Sequence, residues 1–211
     1  MEAWNQAWNS AEGRQDWLTP DPFVVARIPQ LQAAGVQRVL DLGFGVGRHA
    51  LRLAQAGFTV YGVDMSEHGL AYAQGWAARA SLTIQFTNGD MTTLPYADNF
   101  FDAILTWNVI YHGTVAVAQQ TIGELERVLK PHGHLLCTLL STRHKRYGQG
   151  TEIEPNTFVI AGEGEASHPH HYVDRVGAEK LLENFDLLIC EDREQYGTDK
   201  YHWEIFGQAK H

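Results

Sequence analysis

The chain has 211 residues, 44% apolar and 19% charged, which suits one domain with a real core and leaves little for a second. Its 16 basic and 25 acidic side chains give a net charge of −9, which argues against a nucleic-acid partner because phosphate-backbone binding needs a basic footprint. Cys137 and Cys190 form no CxxC pair and sit in apolar runs, which speaks against a disulfide framework or a zinc–thiolate site. No run nears the ~20 apolar residues of a membrane span, and residues 1–10 lack a basic start followed by an apolar stretch. The expectation is a cytoplasmic chain with no membrane partner. Nothing in the sequence sets an oligomeric state.

In chain order, Trp4, Ala7 and Trp8 share one helical face, and Trp17 follows before Pro20 and Pro22. These tryptophans either dock the first 30 residues on the core or make them a lid. Residues 36–42 read as a strand opening into a glycine-rich turn, and 47–56 as a helix ended by Gly57. Residues 58–63 form the next strand, closing at Asp64, and Ser66 caps a helix to about residue 80. Further strands are expected at 82–87, 101–107 and 133–140, with a helix over 115–130. This alternation predicts an α/β fold with a mostly parallel sheet covered on both faces. Residues 141–167 are polar and glycine-rich, and are expected to loop over the sheet as an active-site element. An amphipathic stretch at 173–184 precedes two strands, 185–190 and 201–207, spaced for an antiparallel edge hairpin.

The strongest chemical signal is Val39-Leu40-Asp41-Leu42-Gly43-Phe44-Gly45-Val46-Gly47-Arg48. Glycines at alternate positions after a buried strand let the backbone turn tightly and approach a ligand. The dinucleotide fingerprint G-x-G-x-x-G would put its third glycine at Arg48, so the turn departs from that pattern. Asp64 ends the second strand, where an acid accepts from ribose hydroxyls. Asp90, in Asn88-Gly89-Asp90-Met91 after the third strand, is suited to accept from an exocyclic amine. Singly, these acids read equally as a helix cap and a turn residue; their order at successive strand ends is the informative feature.

In these blocks, and in Phe101-Asp102-Ala103-Ile104 and Glu126-Arg127-Val128-Leu129-Lys130-Pro131-His132-Gly133, the chain resembles the class I S-adenosylmethionine-dependent methyltransferases over about residues 36–140. The C-terminal part resembles small bacterial methyltransferases of the tellurite-resistance-like group, more weakly. The resemblance implies a Rossmann-like seven-stranded sheet with an antiparallel last strand, and S-adenosylmethionine as cofactor. It implies Gly43, Gly45 and Gly47 under the methionine part, Asp41 near its amino group and Asp64 at the ribose diol. Asp90 would meet the adenine amine, with Met65 and Met91 flanking the ring. Phe44 departs from the small residue or cysteine usual in that family.

For the acceptor, Trp107 and Asn108 are expected near the cofactor, and Tyr111, His112 and His171 as base or positioning residues. No Asn-Pro-Pro-Tyr motif and no Pro-Cys nucleophile occur, which with the −9 charge favours a small-molecule acceptor. The cluster His168-Pro169-His170-His171-Tyr172 admits three readings: a solvated aromatic loop, a wall of the acceptor pocket, or a metal site shared with His112 or His202. With no carboxylate at helical ligand spacing, no metal is expected. His49, His132, His134 and His144 read as surface or turn histidines. The expected layout is one domain over 1–211: a lid at 1–30, a cofactor core at 36–140 and an acceptor-pocket loop, helix and hairpin at 141–211. A nicotinamide-dependent oxidoreductase and a cofactor-binding but inactive regulatory module are the alternatives.

Overall fold

The computed structural model describes residues 2–211 except 163, 196 and 198; Met1 of the expected lid and position 163 of the expected loop lie outside the described residues. Three helices open the chain: α1 (Glu2–Asn9), α2 (Ala11–Gln15) and α3 (Pro22–Ala33). The third is absent from the expected elements. Its start signal is nonetheless local: Asp21 accepts from the Phe23 amide at 2.8 Å, and Pro22 occupies the first helical position, where its missing N–H costs nothing.

The core then alternates β1 (Arg38–Leu42), α4 (Arg48–Gln55), β2 (Thr59–Asp64), α5 (Glu67–Arg79), β3 (Ile84–Asn88), β4 (Phe101–Thr106), α6 (Val115–Val128) and β5 (Leu129–Ser141). Ser66 caps α5 as expected, accepting from the Gly69 amide at 3.0 Å. β5 begins four residues earlier than expected because Leu129 already pairs with Phe101, and a register shift before Ala103 absorbs the intervening turn.

After β5 the chain departs from the expected loop. It forms β6 (Thr151–Glu154), β7 (Thr157–Val159) and β8 (His170–Val173), then α7 (Arg175–Leu181), β9 (Phe185–Glu194) and β10 (Tyr201–Ala209). β6, β7 and β8 pair antiparallel in succession, and β8 joins the end of β5 through Leu140–Tyr172 and Ser141–Val173. The stretch expected to be helical from 173 starts as strand, and the helix waits for Asp174, which caps α7 by accepting from the Gly177 amide.

The main sheet runs β3-β2-β1-β4-β5, all parallel, and continues antiparallel through β10 to β9 at the edge. Those seven strands are the expected ones; β6 to β8 are additions. Side-chain alternation divides the core in two. Leu40, Leu42, Ile104 and Leu135 pack with Leu125 of α6 and Ala178 of α7. Val39, Ala103, Leu105 and Leu136 pack on the other face with Ile28 and Leu31 of α3 and Leu53 of α4. Strand order reverses at β1/β4, which opens a crevice at their carboxyl ends. Among the described residues, no helix is long and apolar enough to cross a membrane.

Candidate active site

A cavity of about 460 Å³ lies at that crevice, within the range of small-ligand pockets. Gly43, Gly45, Asp64, Met65, Asp90, Met91, Trp107, Asn108 and His112 all line it. Four separate loops supply them, each following a parallel strand.

The glycine turn is shaped by what surrounds it. Gly43, Gly45 and Gly47 have φ of 70°, 54° and 91°, the left-handed region that side chains avoid. A Cβ on Gly43 would collide with Val109, and one on Gly45 would lie 3.2 Å from the Trp8 ring. Gly47 is the N-cap of α4, outside the cavity lining. The Asp64 carboxylate clamps this turn, with Oδ2 accepting from the Gly45 amide and Oδ1 from the Ser66 amide, both at 2.8 Å. Burial raises the Asp64 pKa, opposed by these amides.

Phe44 has a local reason. Its ring meets Phe86 of β3 at 4.7 Å, and a Cβ on Gly62 would run into both rings. A glycine in the middle of β2 therefore makes room for the bulky residue in the turn.

Asp41 lies behind the turn, buried, and does not line the cavity. Burial pushes its carboxyl up to about 7, against a hydrogen bond from the Ala50 backbone and the nearby Arg48 charge. Its Oδ2 is buried without a hydrogen-bond partner. Arg48 lines the cavity, donates to the Thr19 carbonyl and sits over the Trp17 ring. Asp90 is exposed at the rim, and Thr92 donates to its Oδ1 through both amide and hydroxyl.

The opposite wall is aromatic. Trp4 and Trp8 stack at 5.0 Å, Trp17 meets both edge-on, and Trp4 reaches the His112 ring at 5.8 Å. Asn5 ties α1 to α5, its Oδ1 accepting from the Ser66 hydroxyl and the His68 amide. The opening tryptophans thus roof the cavity and dock on the core at once. His49, expected at the surface, is buried on the cavity wall, where its Nε2 accepts from the Asp21 amide. His144, likewise expected outside, is buried against Tyr172 and His202.

Of the three residues expected to serve the acceptor, His112 lines the cavity and the other two do not. The Tyr111 ring packs with Leu140, Phe158 and Tyr172, and its hydroxyl meets His202 Nε2 at 3.4 Å. His171 is buried with its Nδ1 2.9 Å from the Thr157 hydroxyl. On β8 neighbouring side chains point to opposite faces, so His171 turns away while His170 faces His112. His168 lines the cavity with His112, and His170 pairs with His112 in an isolated antiparallel bridge. Asn108, at φ 62°, turns the chain after β4 and is held by Thr138, whose hydroxyl accepts from its amide and donates to its side-chain oxygen. The Asn108 carbonyl in turn accepts from His112 Nε2 at 3.1 Å, which fixes that ring. Burial and the neighbouring histidines hold the His112 pKa well below the ordinary value, so its ring is neutral.

Residues 39–133 match the family model of a methyltransferase domain. With this strand order and glycine turn, that segment has the fold of a class I S-adenosylmethionine-dependent methyltransferase domain. The chain is similar to the ubiquinone biosynthesis O-methyltransferase of Dinoroseobacter shibae, 31% identical over 138 residues, which are 65% of this chain and 50% of that relative. The chain spans about half the length of the curated relatives it matches. Among solved structures it resembles the 1,6-didemethyltoxoflavin-N1-methyltransferase of Burkholderia thailandensis, with a TM-score of 0.73, 16% identity and coverage of 100% of this chain and 88% of that one. The magnesium protoporphyrin IX methyltransferase of Synechocystis PCC 6803 gives a TM-score of 0.69 at 19% identity, covering 97% and 94%. At such identities the likeness is one of fold.

Proposed function

We propose that the chain transfers a methyl group from S-adenosylmethionine to a small-molecule acceptor, the two ligands meeting in the cavity over the glycine turn. The observation that carries this reading is the cavity itself: one space joins the Asp64 end to the His112 end under a tryptophan roof. The ubiquinone biosynthesis O-methyltransferase relative is named for methylating a small molecule, which supports the same substrate class here.

The residues fit the donor. Gly43 and Gly45 hold the turn against the cavity in a left-handed backbone, where a Cβ would strike Val109 or crowd Trp8, and Gly47 starts α4 behind them. Asp64 would accept from the sugar hydroxyls and Asp90 from the exocyclic amine, with Met65 and Met91 beside the ring and Trp107 and Asn108 on the far wall, all of which line the cavity. Asp41, behind the turn with an unpartnered buried oxygen, would act on the ligand's ammonium through the turn and not by direct contact, and Arg48 on the cavity wall would face its carboxylate. When bound, the donor supplies a methyl already activated on a sulfonium. The protein's task is then alignment, which in other systems accounts for ~7–11 kcal/mol of a barrier.

His112 orients the acceptor with a ring held by the Asn108 carbonyl. Tyr111 and His171 act from behind the cavity, bracing the His112 loop and β8. Residues 1–30 serve as the lid, 36–140 as the cofactor core and 141–211 as the acceptor side of one domain. The −9 charge supports an enzyme with no nucleic-acid partner, and the free Cys137 and Cys190 support a reducing, cytoplasmic setting.

Calorimetry with S-adenosylmethionine and S-adenosylhomocysteine tests the donor, and methyl transfer to a panel of hydroxyl, amine and thiol metabolites tests the acceptor. Absence of binding at millimolar ligand, with NAD binding instead, overturns the reading.

A further inference from the structure

Three histidines converge where the cavity meets the added strands. His112 follows β4, whereas His168 and His170 enter and begin β8, and one ligand-capable nitrogen from each lies within 4.8 Å of the other two. His112 Nδ1 and His168 Nε2 are 2.9 Å apart. The rings of His112 and His170 are 4.7 Å apart, and those of His168 and His170 are 4.5 Å apart.

The hydrogen bonds around the cluster fix tautomers. A carbonyl oxygen only accepts, so His112 donates from Nε2 to the Asn108 carbonyl, which puts its lone pair on Nδ1. His170 donates from Nδ1 to the His168 carbonyl at 2.9 Å, which puts its lone pair on Nε2. Backbone carbonyls that orient imidazoles through the distal nitrogen are the usual support of metal-ligating histidines. A zinc ion with tetrahedral bonds of about 2.0–2.1 Å spaces its ligand nitrogens at about 3.4 Å. The cluster reaches that spacing by opening the His112–His168 contact slightly, drawing the His170 nitrogen in from within 4.8 Å, and moving the His168 proton to its other nitrogen.

We propose that His112, His168 and His170 form a three-histidine site for a divalent transition-metal ion of the zinc type, with its open position turned into the cavity. Neutral imidazoles suit zinc, copper, iron and nickel, and a three-histidine set leaves a fourth position for water or substrate. His112, His168 and Pro169 line the cavity, so that position faces the acceptor end. An acceptor hydroxyl or thiol bound there is held as its anion, with its proton released to solvent. This use rests on the methyl-transfer reading; the metal site does not. The sequence offers a metal site shared with His112 as one reading of this cluster and disfavours it for want of a carboxylate at helical spacing; His112 and His168, 56 residues apart, meet only in the fold.

The test uses the untagged 211-residue chain, stripped with a chelator and titrated with cobalt(II) alone. The expected result is one equivalent taken up with the visible absorption of a four-coordinate site. His112→Ala and His170→Ala abolish that absorption, whereas His68→Ala, a surface histidine outside the cluster, keeps it. Thermal melts and S-adenosylhomocysteine binding of each variant confirm that the fold is intact. No uptake by the wild type, or uptake that survives in folded His170→Ala protein, overturns the site. Failure of methyl transfer with cobalt uptake intact overturns the proposed function and leaves the metal site standing.

Discussion

Asp64 Oδ2 accepts a hydrogen bond from the Gly45 amide at 2.8 Å, so the acid that ends β2 holds the turn that follows β1. The same carboxylate faces the cavity, and its two tasks separate by substitution. Asp64→Ala is expected to weaken S-adenosylhomocysteine binding by ~1.5–3 kcal/mol, the usual loss for charged hydrogen bonds. Asp64→Asn, which keeps an acceptor oxygen, loses less. Wild-type affinity in Asp64→Ala, measured by calorimetry, removes this residue from the binding site.

Asp41 sets stability against binding. Burial raises its pKa from 3.8 to about 7, so across that interval the folded protein keeps a proton that the unfolded chain has lost. Its contribution to stability therefore falls as pH rises through the interval, by up to ~1.4 kcal/mol per unit. Asp41→Asn removes this slope and is expected to melt higher than the wild type at pH 8. It also weakens binding of an ammonium-bearing cofactor. A variant that melts lower and binds normally contradicts both halves.

Gly45 couples the turn to the roof. Alanine at φ 54° carries the left-handed penalty of roughly 1–2 kcal/mol, and its Cβ lies 3.2 Å from Trp8. Gly45→Ala should lower the melting temperature by roughly 2–4 °C for each kcal/mol lost. Adding Trp8→Ala relieves the contact without relieving the backbone, so cofactor affinity recovers only partly. Full recovery in the double variant means that the backbone angle is unimportant.

His202 makes the fold acid-sensitive. Burial lowers its pKa from 6.5 to about 4, so the unfolded chain binds a proton first as pH falls through this window. Stability present above pH 6.5 is thus lost on acidification. His202→Gln should flatten the dependence by up to ~1.4 kcal/mol per pH unit, read from urea unfolding at stepped pH. An unchanged slope excludes His202 as a source.

The legible parts of the sequence were those governed by near neighbours. The glycine turn, the Ser66 cap and the alternation of β1 to β5 follow from residues a few places apart. The strands β6 to β8 escaped because each is three or four residues long and gains its stability from pairing. His49 reads as a turn histidine until α3 folds over it and Asp21 supplies an amide. Tyr111 and His112 are adjacent in sequence, and only the backbone after Asn108 decides which of them faces the cavity. The tryptophan roof was visible as a helical stripe, but its footing on the turn is tertiary.

That roof spans both ends of the cavity, with Trp8 against Gly45 and Trp4 against His112. A ligand that ordered the helix at one end would leave less to order at the other, and the two affinities would then be linked. Thermodynamic reciprocity then requires donor to favour acceptor by the same factor as acceptor favours donor. On the proposed function, a spent donor leaving from beneath the same helix would loosen the grip on the methylated product.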